Sequence, residues 1–211
     1  VGSITANDYY QSGLRYALIV SPKSIEAAAG KKWDANNGTP PAQTATEWNG
    51  LGATLAMVSA GANYEAAKHC NDQSYPQDGA SQWYLPAMAE LELIYRNLKC
   101  STETNYTTNR TGADFPRDPQ VQGYNPCSDP SGVAYTGGSP AQTSVALFKT
   151  GGAQALGVSA SNIYYWSSTK YSSSYAWSQY FSGSNAGNQS YSAFTLTNRL
   201  TRPSRRLVLS S

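Results

Sequence analysis

Between Tyr171 and Asn198 the chain carries no charged residue, yet every few positions hold Ser, Tyr, Asn, Gln or Thr. Large apolar residues, Trp166, Trp177, Phe181, Phe194 and Leu196, are spaced through and just before this stretch as anchors. The combination is restrictive. Disorder goes with high charge and few aromatics, and a plain solvated face would use Lys and Glu. In "YAWSQYF", strand alternation puts Tyr175, Trp177, Gln179 and Phe181 on one face and Ala176, Ser178 and Tyr180 on the other. The stretch therefore reads as a small sheet or loop cluster pinned by aromatics from below, with tyrosine rings and small hydroxyls outward. Tyrosine brings large contact area at low entropy cost, and Ser and Asn add adaptable hydrogen bonds, so a binding surface is expected.

The rest of the chain limits the setting. At 211 residues, with no linker dividing it, residues 1–211 are expected to form a single domain. A net charge of +2, with basic residues scattered until the last dozen positions, gives no electrostatic footprint for nucleic acid. No apolar run approaches the roughly 20 residues of a membrane span, and no signal-peptide pattern opens the sequence. The opening "VGS" reads as a fragment boundary. Cys70, Cys100 and Cys127 leave open either one disulfide with a free thiol or three thiols, and their spacing fits no zinc signature.

Along the chain, "RYALIVS" (Arg15 to Ser21) is the first strand signal, stopped by Pro22. Helical patterns follow from Leu51 and again from "NYEAAKHCND", where Asn63 is the expected N-cap. "WYLPAMAELELIYRNLK" predicts a short strand at Trp83 to Leu85 and a helix after Pro86, its buried face formed by Met88, Leu91, Ile94 and Leu98. Residues 101–141 read as a loop-rich insertion, and Gln142 to Gly152 as a short helix. From Asn162 onward the pattern is short strands, "NIYYWSST", "YAWSQYF", "SAFTL" and "RRLVL", with turns at Gly183 and Gly187. Helices first and antiparallel strands afterwards predict an α+β fold.

Catalytic patterns are missing from the sequence. His69 is the single histidine, and it and Cys70 are helical neighbours pointing about 100° apart, a poor nucleophile–base pair. No zincin, phosphate-loop or dinucleotide motif occurs, and "GSNAG" puts Asn185 where a nucleophile elbow needs serine. Glu90 and Glu92 flank Leu91 and read as a solvated face or a helix-start charge interaction. "DANNG" (Asp34 to Gly38) lacks the ligand spacing of a calcium loop. Asn37, Asn105, Asn109 and Asn188 lie in N-x-S/T sequons, which matter only in a eukaryotic secretory protein. No enzyme, metal or cofactor is expected.

Several segments together resemble one family: "WYLPAMAELELIYRNLK", "NPCSDPSGVAYTGGSPAQTSVALFKTGGAQAL", "YYWSSTKYSSSYAWSQYF" and the closing "RPSRRL". They are similar to the bacterial and phage family called the Lcl C-terminal domain, and "YALIVSPK" looks like versions found at the ends of phage tail proteins. The resemblance covers about residues 14–207, with residues 162–207 as display region and final strands. It implies a C-type-lectin-like fold, two or three helices packed on small antiparallel sheets with long ordered loops, that binds ligand without catalysis. Related proteins of this fold are diversified by retroelements that mutate adenines, and the composition from Tyr171 to Thr197 looks like such an outcome.

Matched onto this sequence, the scaffold positions are Trp83, Leu85, Pro86, Glu90 and Leu91, then Trp166, Ser167, Ser168, Thr169, Ala176, Trp177 and Phe181. The ligand-binding positions implied between them are Tyr171, Ser173, Ser174, Tyr175, Ser178, Tyr180, Ser182, Ser184, Asn185, Asn188, Ser190 and Tyr191. Tyr175 is contested, since alternation sides it with Trp177 while the motif displays it. Thr201 and Ser204 stand where the family has apolar residues, which argues against a fully buried last strand. Arg202, Arg205 and Arg206 match the family's arginines, with hydrogen bonding to loops or surface charge as their expected role. The implied function is a phage tail-fibre receptor-binding domain on the virion, a homotrimer within a larger fibre, adsorbing to a bacterial surface protein or glycan. The rival is a bacterial surface or secreted adhesin module. A polysaccharide hydrolase would need two carboxylates about 5–10 Å apart, and the display stretch contains none.

Overall fold

A computed structural model describes residues 15–27, 30–73, 82–107, 135–157 and 163–209. Its elements are β1 (Arg15–Val20), α1 (Gly50–Ala60), α2 (Glu65–Asn71), α3 (Met88–Leu98), β2 (Tyr164–Lys170), β3 (Tyr175–Tyr180), β4 (Gln189–Ala193) and β5 (Ser204–Leu209). The fold is α+β, with three α-helices and two small antiparallel sheets, among the described residues. β1 pairs with β5 from the far end of the chain, Tyr16 opposite Val208 and Val20 opposite Ser204. The second sheet has the order β2-β3-β4.

α1 and α3 start where a side chain satisfies amides that the helix itself leaves free. Asn49 caps α1, its side chain accepting from the Gly52 amide at 2.7 Å. Tyr64, not Asn63, stands at the α2 N-cap, and Asn63 instead donates to Asp34 Oδ1 at 2.9 Å. In α3, Glu90 reaches back to accept from the Ala87 amide at 2.8 Å. Its carboxylate also accepts from the Gly50 amide and the Tyr84 hydroxyl, so one acid joins the starts of α1 and α3. Met88, Leu91 and Ile94 are buried, as their spacing predicts.

Three local expectations need correction. Gln142 to Gly152 does not form an α-helix; only a single 3₁₀ turn, Ala146–Phe148, appears, with Val145 and Leu147 exposed. Trp83 to Leu85 is reduced to one bridge, Tyr84 with Ser204. β4 lies earlier than "SAFTL", because Phe194 leaves the ladder to stack on Trp33 at 4.4 Å.

The three-stranded sheet sits between two cores. Trp166 and Ala176 face Trp33, Met57, Tyr64, Cys70, Leu85 and Phe194. Tyr165 and Phe181 face Leu91, Ile94, Tyr95, Tyr135, Leu156 and Ala186. β3 is therefore covered on both sides, with Ala176 through Gln179 buried and only its ends reaching solvent.

Thr201 and Ser204 are buried in spite of their polarity, but β5 is not fully buried, since Leu207 is exposed and Arg206 half-buried. Arg202 is buried too, its guanidinium pairing with Glu26 Oε2 at 3.0 Å and donating to the Ser21 carbonyl at 2.8 Å. Tyr165 donates to the same Glu26 oxygen, which ties β2 to the first loop. Arg205 and Arg206 lie over the rings of Trp83 and Tyr16. Cys70 and Cys100 are buried thiols without a disulfide, and Cys127 lies outside the described residues.

Removing one member of a buried ion pair strands the other. Arg202→Ala should cost about 3–5 kcal/mol in urea unfolding, and pairing Arg202→Met with Glu26→Gln should recover much of that loss.

Candidate functional site: a tyrosine cluster at the hairpin tip

The antiparallel register decides which display residues can meet. Opposite Trp177 on β4 is Tyr191, and opposite Tyr175 is Ala193. All lie on one sheet face with Gln179 and Gln189, and the β2–β3 turn brings Tyr171 onto the same face. The Tyr171 and Tyr191 rings stack at 4.2 Å with an interplanar angle of 6°. Both stand edge-on to Trp177, with Tyr171 at 5.2 Å and Tyr191 at 6.4 Å. Tyr175 meets Tyr191 at 5.6 Å and 90°. Trp177 is buried under this group, while Tyr175 is 40% and Tyr191 38% exposed.

The backbone holds the cluster in place. The Tyr175 carbonyl accepts from the Tyr171 and Ser172 amides at 2.8 and 3.0 Å, closing the turn. Ser172 Oγ accepts from the Ser174 amide, and the Ser174 carbonyl accepts from Phe194. Ser173 is exposed at the tip and Ser174 half-buried beside it. Tyr171, Ser173, Ser174, Tyr175 and Tyr191 thus form one contiguous surface of rings and hydroxyls. Interlocked rings and a closed turn leave little freedom to lose on binding, which favours recognition.

The remaining expected positions are placed elsewhere. Tyr180 and Ser190 are half-buried on the opposite face of the sheet, where Tyr180 lies against Tyr164 at 4.0 Å. Ser184 is exposed and Asn185 half-buried on the turn between β3 and β4. That turn is one six-residue strand, about 20 Å, from the hairpin tip. Ser184 lines an open groove of about 620 Å³ with Glu103, Thr104, Tyr106 and Thr107, a feature the sequence did not signal.

Ser178, Ser182 and Asn188 are corrections: each is buried and offers nothing to a partner. Ser178 lies on the covered central strand, its hydroxyl donating to the Ser190 carbonyl at 3.1 Å. Asn188 closes the turn through its backbone, its carbonyl accepting from the Tyr180 amide at 3.0 Å. The sequons at Asn105 and Asn188 are buried as well, too enclosed for a glycan. Gly187 shows why this turn is fixed. Its φ is +88°, and a Cβ there would lie 2.5 Å from the Tyr135 ring.

The residues with chemical potential are engaged in structure. His69 Nε2 contacts the Ile25 carbonyl at 2.9 Å. Asp34, fully buried, accepts from the Asn36 and Gly38 amides at 2.9 and 2.8 Å, which makes "DANNG" a self-closed turn. Among the described residues no cluster of three or more potential metal ligands occurs.

Glu90 and Glu92 are both fully buried, so neither lies on a solvated face, while Glu90 makes the helix-start interaction by accepting from the Ala87 amide. Glu92 accepts from Arg96, from the Tyr135 hydroxyl at 2.7 and 2.6 Å, and from Gln179 Nε2. It is thus the polar tie between α3 and the sheet that carries the tyrosine cluster. Burial pushes its pKa above the usual carboxylate range, with Arg96, Tyr135 and Gln179 acting the other way. Burial, and after it the same carboxylate, push the Tyr135 phenol well above its ordinary value.

Compared with family models, curated proteins and solved structures, the chain matches none.

A raised carboxyl pKa favours the folded state while the acid is protonated, and that advantage is lost as pH rises through the folded value. In urea unfolding, the stability of the native chain relative to Glu92→Gln should therefore fall as pH rises from about 4 to 7. A difference that is flat in pH would mean that Glu92 titrates as a free carboxylate.

Proposed function

We propose that this chain is a non-catalytic ligand-binding domain of the C-type-lectin-like, Lcl C-terminal type, acting at the tip of a phage tail fibre. It adsorbs to a protein or glycan of the bacterial surface. The observation that carries this reading is the exposed, interlocked group of Tyr171, Tyr175 and Tyr191 over buried Trp177. Exposed aromatics cost solubility, and a rigid, polar-tipped cluster of them is the chemistry of a recognition surface. Support also comes from the frame: Trp166 to Thr169, Ala176, Trp177 and Phe181, the scaffold positions of the resemblance, are all buried.

Single sites of modest affinity suffice, because a trimeric fibre presents several at once and gains avidity. Trimerisation and the virion setting rest on the resemblance. The surface positions Tyr171, Ser173, Tyr175 and Tyr191 are where retroelement diversification would change specificity without unfolding the domain.

The test is adsorption. A Tyr171→Ala, Tyr175→Ala, Tyr191→Ala variant should bind host cells ~10-fold or more weakly, the scale expected for removal of hot-spot aromatics. Its melting temperature should change far less than that of Trp166→Ala, which opens the core. Unchanged adsorption with an intact fold would remove the cluster from the binding surface.

A further inference from the structure

The face opposite the tyrosine cluster carries a buried cation that has no counter-ion among the described residues. Arg199 follows the loop after β4 and is only 8% exposed. Its guanidinium lies 3.8 Å from the Tyr164 ring centre and 6.0 Å from Trp166. Nε and Nη2 both donate to Ser192 Oγ, at 3.1 and 2.7 Å, and Nη1 donates to Asn198 Oδ1 at 2.5 Å. Among the described residues its acceptors, Ser192 and Asn198, are neutral. Burial lowers its pKa, and the groups acting in the opposite direction are the phenols of Tyr164 and Tyr180, not a carboxylate.

That arrangement is unusual, because buried charges are ordinarily paired. Of the two other buried arginines nearby, Arg202 has Glu26 and Arg205 lies over the Trp83 ring. In Arg199 the Nε/Nη2 edge is taken by Ser192, while the Nη1/Nη2 end holds only Asn198. A guanidinium end of this kind matches the paired oxygens of a carboxylate or phosphate. The surroundings open outward: Tyr164, Tyr180 and Ser190 are half-buried, and Thr197 and Asn198 are exposed. Tyr164 and Tyr180 pack ring to ring at 4.0 Å, offering an aromatic surface beside the charge.

We infer that Arg199, Tyr164 and Tyr180 form a second binding site, for an acidic glycan whose carboxylate or phosphate pairs with the guanidinium while its sugar packs on the tyrosines. The inference rests on the reading of the chain as a binding domain. It uses the other face of the sheet, so it can fail while adsorption through the hairpin tip stands. Sequence alignment by motif could not find it, since Arg199 lies outside the matched arginines Arg202, Arg205 and Arg206.

Titration of the whole chain with a galacturonate oligosaccharide, its uncharged methyl ester and glycerol phosphate tests the site. At least one acidic probe should bind ten times or more tightly than the ester and weaken as salt is raised. The acid that binds identifies carboxylate or phosphate as the recognised group. It should also shift the Arg199 Nε resonance, a readout that needs no variant. Arg199→Lys should lose this preference because it keeps the charge but not the fork. Tyr180→Ala should weaken the sugar acid and leave the Tyr171–Tyr175–Tyr191 adsorption unchanged. Equal affinity for acid and ester, or an Arg199 resonance unmoved by both acids, would overturn the assignment.

Discussion

The segment Trp166 to Thr169 holds the molecule together, because a bulge there turns its polar groups out of the strand ladder. β2 pairs with β3 at Trp166 opposite Ser178 and again at Lys170 opposite Ala176, and the register shifts between them. Freed from regular pairing, these residues reach other parts of the chain. Trp166 Nε1 donates to the Lys31 carbonyl and the Ser167 carbonyl accepts from Trp33 Nε1, both at 2.7 Å. The Ser168 amide donates to Pro86, and Thr169 Oγ1 accepts from the Met88 amide while donating to Thr46. One short stretch thus fixes the first loop, the start of α3 and the central sheet. Buried polar networks of this kind specify a single arrangement, since each missing bond strands a desolvated group.

The position of the exposed tyrosines follows from that constraint. With cores on both sides, β3 can show side chains only at its ends, and β4 only along its free edge. Tyr175, Tyr191 and the turn residues Tyr171 and Ser173 occupy those openings. Tyr175 settles the conflict between alternation and motif, because a residue can share Trp177's face and still be exposed once the core ends. The Arg199 group occupies the opposite face where Tyr164 and Tyr180 thin out the packing.

Local pattern made much of this legible. The strand Arg15–Val20, the helix after Pro86 and the hairpin around Trp166 and Trp177 each declare themselves through apolar periodicity or alternation. What remained hidden depends on contacts distant in sequence. Ser178, Ser182 and Asn188 look like surface residues because serine and asparagine usually are. Here cover from other strands buries them, as it buries Thr201 and Ser204. Glu92 misled for the same reason, since Tyr135 and Gln179 lie some 40 to 90 positions away, whereas the helix-start role of Glu90 was legible and only its bond to the Gly50 amide was not. Arg199 carried no signal at all, because what sets it apart is that its described partners, Ser192 and Asn198, are neutral.

Buried frame and exposed tyrosines are interleaved yet physically separate within one short segment. A saturation scan of residues 164–191, scored for protease resistance, measures that separation. Trp166, Ser167, Thr169, Ala176, Trp177 and Phe181 should tolerate few substitutions, whereas Tyr171, Ser173, Tyr175 and Tyr191 should accept most side chains with the fold retained. Equal intolerance at both sets would contradict it, because the tyrosines would then be part of the core and not its replaceable surface.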